Sequence, residues 1–286
     1  MLAPVVASRC PRTVAASAKS GGGTGPRVSV VIPTLNEARN LPHVFALLPA
    51  DVHEVVLVDG NSTDDTVEVA RRLRPDVRVV HQTRRGKGNA LACGFAVCRG
   101  DIIVMIDADG STDPREIPAF VDALLAGADF AKGSRFVAGG GSTDITRIRR
   151  AGNLALNLFA NTLNGTRYTD LCYGYNAFWR RCLPTLGLEP GAHTPGADMR
   201  WGDGFEIETI INVRVARAGL TVAEVPSFER DRLHGESNLN AVRDGLRVLR
   251  TIARERFRRS SPSPVPESAL ARHDWTAGPA RLWAGA

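Results

Sequence analysis

Ile102-Ile103-Val104-Met105-Ile106-Asp107-Ala108-Asp109-Gly110 decides how this chain is read. Five apolar residues in an unbroken run, followed at once by acids and a glycine, describe a strand buried on both faces. Strands of that kind belong to parallel sheets covered by helices. Ligands of such sheets bind beyond the carboxyl ends of the strands, which is where Asp107 and Asp109 stand. Two carboxylates one residue apart can share a hard divalent cation. Mg²⁺ takes one or two carboxylates and fills its other positions with water and substrate phosphates. A cation there neutralises a diphosphate leaving group. The bare D-x-D pattern also fits solvated loop acids, or Asp109 capping the turn at Gly110.

Outward from this strand, the same alternation repeats. Val28 to Ile32 is a short apolar strand ending at Pro33, and Glu54 to Asp59 is a second. Val77 to His81 is a third, and Phe130 to Gly133 follows the central one. Helical apolar spacing falls between them, over Asn40 to Leu48, from Ser62 to about Arg74, and over Asn89 to Cys98. Ser62 and Asp64 are expected to cap the second of these helices. Asp113, with Pro114 after it, is expected to open the helix that ends near Gly127. Four β-α alternations predict an α/β fold, a mostly parallel sheet flanked by helices. Ile148 to Leu163, Phe205 to Ala218 and Leu239 to Phe257 read as helices; Tyr173 to Trp179 and Leu220 to Val225 read as extended.

Two further segments point to an anionic ligand. Asp59 ends a strand just before a helix, where an acid can accept hydrogen bonds from a base or ribose. Arg84-Arg-Gly-Lys-Gly-Asn89 precedes another helix, and basic side chains with helix N-terminal amides suit phosphate. His81 and Leu91 stand where a Walker or a dinucleotide fingerprint requires glycine, so neither an ATPase nor a Rossmann dehydrogenase is expected.

The bulk composition sets bounds. The chain has 286 residues, 43% hydrophobic and 23% charged, with a net charge of +6. That describes a globular protein with an anionic partner. Cys10, Cys93, Cys98, Cys172 and Cys182 are odd in number and form no C-x-x-C pair, which points to a reducing, cytoplasmic setting. No run reaches the ~18 apolar residues of a bilayer span. Residues 1–26 read as a disordered leader, and 260–286, rich in Pro, Ser, Ala and Gly, as a disordered tail. Residues 27–238 then form the main domain and 239–259 a basic amphipathic helix. Its apolar stripe is Leu239, Val242, Leu246, Leu249, Ile252 and Phe257; Arg243, Arg247, Arg250, Arg254, Arg256, Arg258 and Arg259 dominate the rest. That pattern fits either a helix in an anionic membrane interface or a terminal helix packed on the domain.

Taken in order, Val28-Ser-Val-Val-Ile-Pro-Thr-Leu-Asn-Glu37, Val58-Asp-Gly-Asn-Ser-Thr-Asp64, Gly86-Lys-Gly-Asn-Ala90 and Asp107-Ala-Asp-Gly110 resemble a family 2, GT-A fold glycosyltransferase. Gly133-Ser-Arg-Phe136, Asp170 to Arg180 and Arg232-Leu-His-Gly-Glu-Ser-Asn238 are similar to its dolichyl/polyprenyl-phosphate sugar transferase branch. The resemblance spans about Arg27 to Val248. It implies inverting transfer of a hexose from a GDP- or UDP-sugar to a polyprenyl or dolichyl phosphate, at a membrane the protein touches peripherally. It implies a donor pocket of Pro33, Leu35, Glu37, Asp59 and Lys87, with Mg²⁺ or Mn²⁺ on Asp107 and Asp109. Ser111 stands where the branch often has a metal-binding Gln, so a water is expected between. Arg135 and Arg232, with Ser237, are implied to hold the acceptor phosphate or the donor diphosphate. The branch has Gly-Phe-Arg where this chain has Gly174-Tyr-Asn176, so one arginine is absent.

Three alternatives follow. If the acceptor is a hydroxyl on a small molecule or glycan, it needs a carboxylate base, and Asp203 is the candidate, ahead of Glu206 and Glu208. These acids also read as ordinary first-turn residues of a helix. A sugar-nucleotide-binding module without turnover need not keep D-x-D. A nucleic-acid binder would explain the charge but not two acidic strand ends.

Overall fold

The computed structural model describes residues 25–191, 199–235 and 241–258. Most of the expected leader, the expected tail and Ser237 lie outside the described residues. The chain opens as β1 (Val28–Thr34), α1 (Leu41–Ala46), β2 (Glu54–Asp59), α2 (Thr66–Leu73), β3 (Arg78–His81), α3 (Lys87–Val97) and β4 (Ile102–Met105). A 3₁₀ turn at Pro114–Glu116 leads into α4 (Ile117–Leu125), then β5 (Phe130–Ser134), β6 (Gly141–Ser142) and α5 (Arg147–Asn164). The second half continues with β7 (Asn176–Trp179), α6 (Leu183–Leu186), α7 (Ile207–Arg217), β8 (Val222–Pro226), β9 (Phe228–Glu229) and α8 (Ala241–Arg256).

Seven strands form one sheet in the order β3-β2-β1-β4-β7-β5-β8, and β6 pairs with β9 beside it. All pairs in the large sheet are parallel except those of β7, which runs antiparallel to both β4 and β5. The expected mostly parallel sheet is therefore present. The strands named from apolar runs are buried along their length: Val55 to Val58 and Ile102 to Met105 have no exposed surface. Helix α3 sits directly on β1 and β2. A Cβ at Gly94 would stand 2.5 Å from Val31 Cγ1, so only glycine lets helix and sheet approach this closely. On the β7 side, Phe120 stacks on Tyr175 at 4.3 Å between ring centroids, and Phe130 stacks on Phe178 at 5.7 Å. Such pairs add about 0.5–1.5 kcal/mol beyond the area they bury.

Local details correct one expectation. Helix α2 begins at Thr66, so Ser62 is too far upstream to cap it; its Oγ instead accepts the Asn36 N–H at 3.0 Å. Asp64 does accept the Thr66 N–H, at 3.1 Å. Asp113 opens the Pro114 turn by accepting the Arg115 N–H at 3.0 Å, as its place before Pro114 suggests.

Helix α8 packs its inner face, Val248 and Ile252, against Ala160, Tyr168, Leu171 and Val213. The buried Arg214–Glu255 pair, at 2.9 Å, fastens it to α7. Among the described residues, no helix is long and apolar enough to cross a membrane, and the cysteines at 93, 98, 172 and 182 are all free thiols.

Candidate active site

The carboxyl ends of β1, β2 and β4 form one edge, and the turns that leave them fix its shape. Asn36 and Asn61 both sit at positive φ, 59° and 65°, a conformation asparagine tolerates better than most residues. The two turns lock together: Asn36 Oδ1 accepts the Thr63 N–H at 2.8 Å. Asp59, 3% exposed at the end of β2, accepts the amides of Asn61 and Ser62 at 3.1 and 3.2 Å, and His81 Nδ1 lies 3.3 Å away. Pro33 lies inside β1 and Leu35 just beyond it, with Leu35 exposed.

At the end of β4 each acid of the D-x-D holds a cation. Lys87 Nζ lies 2.6 Å from Asp107 and 2.7 Å from Glu208. Burial alone would depress this ammonium, but Asp107 and Glu208 hold it above the ordinary lysine range. Arg232 bridges Asp109 at 2.9 Å and Glu37 at 3.5 Å. Burial raises the Glu37 carboxyl above the usual range, against the opposing pull of Asn40 and Arg232. The segment carrying Arg232 is seated on the acid turn. Leu233 N–H donates to the Asp109 carbonyl at 3.1 Å, and a Cβ at Gly110, whose φ is +79°, would stand 2.6 Å from the Leu233 side chain. Ser111 lies in the same turn, its N–H donating to Asp109 Oδ1 at 2.9 Å.

This donor set fits a hard divalent cation. Asp107 and Asp109 offer carboxylate oxygens, and among the described residues no third His, Cys, Asp or Glu completes a site with them. A cation held there would draw its remaining ligands from water and a phosphate-bearing substrate, the habit of Mg²⁺ and Mn²⁺. It would also displace Lys87 and Arg232 from their carboxylates and free both for phosphate oxygens.

Two residues expected at the ligand are engaged elsewhere. Arg135 is 8% exposed and forks onto Asp170 at 2.7 and 2.9 Å, with Glu229 at 2.8 Å and the Tyr173 ring beneath it at 4.8 Å. It anchors the segment that delivers Gly174 to Lys87 and presents no free edge of its guanidinium to a phosphate. Asp203, 4% exposed, takes two bonds from Arg84, at 2.7 and 2.8 Å, and the Arg200 N–H at 2.7 Å. Its carbonyl accepts the Gly88 N–H at 2.7 Å, so this first-turn amide of α3 is taken by protein and not open to phosphate. That crossing explains the glycines of Arg84 to Asn89: a Cβ at Gly86 or Gly88 would fall about 2 Å or less from a backbone oxygen of 202–203. Asp203 is a latch, and as a base it would first have to release Arg84.

Glu208 and Gly174 are the residues whose role the sequence did not disclose. Glu208 reads as a first-turn acid of α7, and only the fold carries it to Lys87. A Cβ at Gly174 would lie 3.0 Å from Lys87 Nζ and 3.4 Å from Asp107 Oδ2, so glycine there keeps the pair accessible. Asn176 is fully buried in β7, paired across from Met105, whose Sδ lies 3.9 Å from its amide nitrogen.

Comparison with known proteins gives the family. Residues 29–183 match the model of glycosyl transferase family 2. The chain is 34% identical to the undecaprenyl-phosphate mannosyltransferase of Micrococcus luteus over 223 residues, covering 75% of this chain and 88% of that one. It is 34% identical to the polyprenol monophosphomannose synthase of Mycolicibacterium smegmatis, covering 75% and 81%. Its fold superposes on glucosyl-3-phosphoglycerate synthase from Mycobacterium tuberculosis, solved with Mn²⁺, UDP and glucosyl-3-phosphoglycerate, with a TM-score of 0.59 and 25% identity over 81% of this chain and 80% of that one. The architecture is the GT-A fold that the sequence resembled, and the chain belongs to glycosyl transferase family 2.

Proposed function

We propose that this glycosyltransferase moves a hexose, with inversion, from a nucleoside-diphosphate sugar to a polyprenyl phosphate. The observation that carries the proposal is the pair of strand-end carboxylates, Asp107 and Asp109, each neutralised by a basic side chain, Lys87 and Arg232. Mg²⁺ or Mn²⁺ on these carboxylates supplies charge neutralisation to the departing diphosphate. Asp59, with Pro33 and Leu35, receives the nucleoside. Glu37 orients Arg232, and Ser111 would meet a cation held by the two acids through a water. Arg232, with Ser237, meets the phosphates, and Arg135 holds Asp170 and the Gly174 segment in place.

The acceptor follows from relatives that act on undecaprenyl phosphate or polyprenol, and from chemistry. A phosphate is already anionic and needs little help from a base, which suits a site whose buried Asp203 is bonded to Arg84. A polyprenyl acceptor brings the enzyme to a membrane surface, where the arginines of α8 favour anionic lipid. The second reading, a hydroxyl acceptor with Asp203 as base, is favoured by Asn176 standing where the resembled branch has arginine. The test is a screen of purified protein with Mn²⁺, nucleotide sugars and detergent-dispersed undecaprenyl phosphate. A lipid-linked hexose that chelator abolishes is expected. Donor hydrolysis without any lipid product, across all donors, would overturn the acceptor.

A further inference from the structure

Lys87 and Arg232 are not held by the D-x-D acids alone. Lys87 Nζ lies between two carboxylates, 2.6 Å from Asp107 Oδ1 and 2.7 Å from Glu208 Oε1. Arg232 repeats the arrangement on the other acid, 2.9 Å from Asp109 and 3.5 Å from Glu37. Each basic side chain thus shares one acid from the end of β4 and one from elsewhere in the fold. A hard divalent cation can use the first kind. Among the described residues the second kind completes no cation site with them, which leaves the basic side chain as its partner.

Glu208 shows this most plainly. It is 5% exposed in the first turn of α7, and among the described residues Lys87 is its one ion-pair partner. Lys87 stands at the start of α3 with its side chain 13% exposed. Were Asp107 its sole acid, a divalent cation taking Asp107 would leave the ammonium nearly buried without a counter-charge and facing a like charge, which is costly. Glu208 removes that cost. Gly174 keeps the neighbouring side open, since a Cβ there would stand 3.0 Å from Nζ and 3.2 Å from Glu208 Oε1. An ammonium has three donors, so one given to Glu208 leaves others for phosphate oxygens.

We propose that Glu208 is a positioning residue, which retains Lys87 when a divalent cation takes Asp107 and so keeps the ammonium within reach of the donor's phosphates. The inference rests on the proposed cation site at Asp107 and Asp109 and says where the displaced lysine goes.

The test uses the full chain without donor or acceptor. Mn²⁺ binding, read by electron paramagnetic resonance, is expected for the parent and lost in Asp109→Ala. The chain has three lysines, Lys19, Lys87 and Lys132, so lysine-selective ¹⁵N labelling gives few ammonium signals, and the one missing from Lys87→Met belongs to Lys87. On saturation with diamagnetic Mg²⁺ this signal is expected to shift and persist in the parent, because Glu208 still protects it from exchange with water. In Glu208→Gln it is expected before Mg²⁺ and to vanish on its addition. Mn²⁺ should bind Glu208→Gln about tenfold or more weakly. That penalty should shrink by at least about threefold in the Lys87→Met background, where the carboxylate acts on the cation only through space. Glu208→Asp, which keeps the charge on a shorter arm, should fall between parent and Glu208→Gln, and it carries the test if the glutamine variant does not fold. A Lys87 signal lost from the parent on Mg²⁺, or kept in Glu208→Gln, overturns the proposal and leaves the cation site standing. So does an equal penalty in both backgrounds. A parent that binds no Mn²⁺ overturns the cation site and the proposal with it.

Discussion

Asp203→Asn separates a latch from a catalytic base. In the fold, Asp203 and Arg84 are 5% and 6% exposed at their side chains and meet through two bonds of 2.7 and 2.8 Å. Removing the carboxylate charge leaves the Arg84 guanidinium buried with only the carbonyls of Pro190 and Glu189, at 2.6 and 3.4 Å. Breaking a buried pair from one side costs about 3–5 kcal/mol. Asparagine keeps the shape and one acceptor, so the lower end, about 3 kcal/mol, applies. At roughly 2–4 °C per kcal/mol for a domain of this size, the melting temperature should fall by about 6–12 °C. Arg84→Met in the Asp203→Asn background should cost less than Arg84→Met alone, because the orphaned charge is gone; a coupling above about 0.5 kcal/mol marks the pair. Assayed well below its melting point, Asp203→Asn should keep transfer within about tenfold of the parent, whereas loss of a general base costs about 10²–10⁴. A variant that melts like the parent and loses transfer by that larger factor would refute the latch.

Three other outcomes follow from the site and its surroundings. Asp109→Ala should abolish metal-dependent transfer while leaving a folded protein; near-normal turnover with Mn²⁺ and an unaltered melt would remove the metal from Asp107 and Asp109. Asp59→Ala should raise the KM for the donor with kcat little changed, since a base or ribose contact is uniform binding; an unchanged KM contradicts that placement. Lys132, fully buried with Tyr173 O at 3.2 Å, has its ammonium pushed below the lysine range by burial, which Asp170 and Glu224 only partly offset. Between that lowered value and the ordinary lysine value the unfolded chain binds the extra proton, so stability rises with pH across that window. Lys132→Met should flatten that rise in denaturant melts, and a slope equal to the parent's would show that the lysine is not its source.

Much of the site-bearing half was legible because its signals are local. Unbroken apolar runs ending in an acid located β2 and β4, and the acids they end on stand at the functional edge. What sequence could not show were relations between distant segments. Tyr173 to Trp179 reads as extended, yet nothing in its periodicity says that β7 inserts antiparallel between β4 and β5. Glu208 is 121 positions from Lys87, so its place beside the ammonium depends on α7 docking across the sheet. Arg84 and Asp203 are 119 apart, and separately one reads as part of a phosphate-binding segment and the other as a candidate base or a first-turn acid. Helix α5 shows the limit of amphipathic reasoning: its period is plain over Ile148 to Leu163, but the usual rule would bury the leucines. Leu154 and Leu158 are exposed instead, and Asn157 and Asn161 turn inward to bond the backbone of Tyr168, Thr169 and Leu171.

Whether the acids at the end of β4 promote transfer to a lipid phosphate is decided by one competition. Purified protein, Mn²⁺ and a labelled nucleotide hexose are given undecaprenyl phosphate and phosphoglycerate together, and label is followed into the organic and aqueous phases, with Asp109→Ala alongside. Label is expected in the organic phase as a hexosyl phospholipid, none of it formed by Asp109→Ala or in chelator. Label confined to a water-soluble glycoside, formed by the parent and lost in Asp203→Asn, would contradict it.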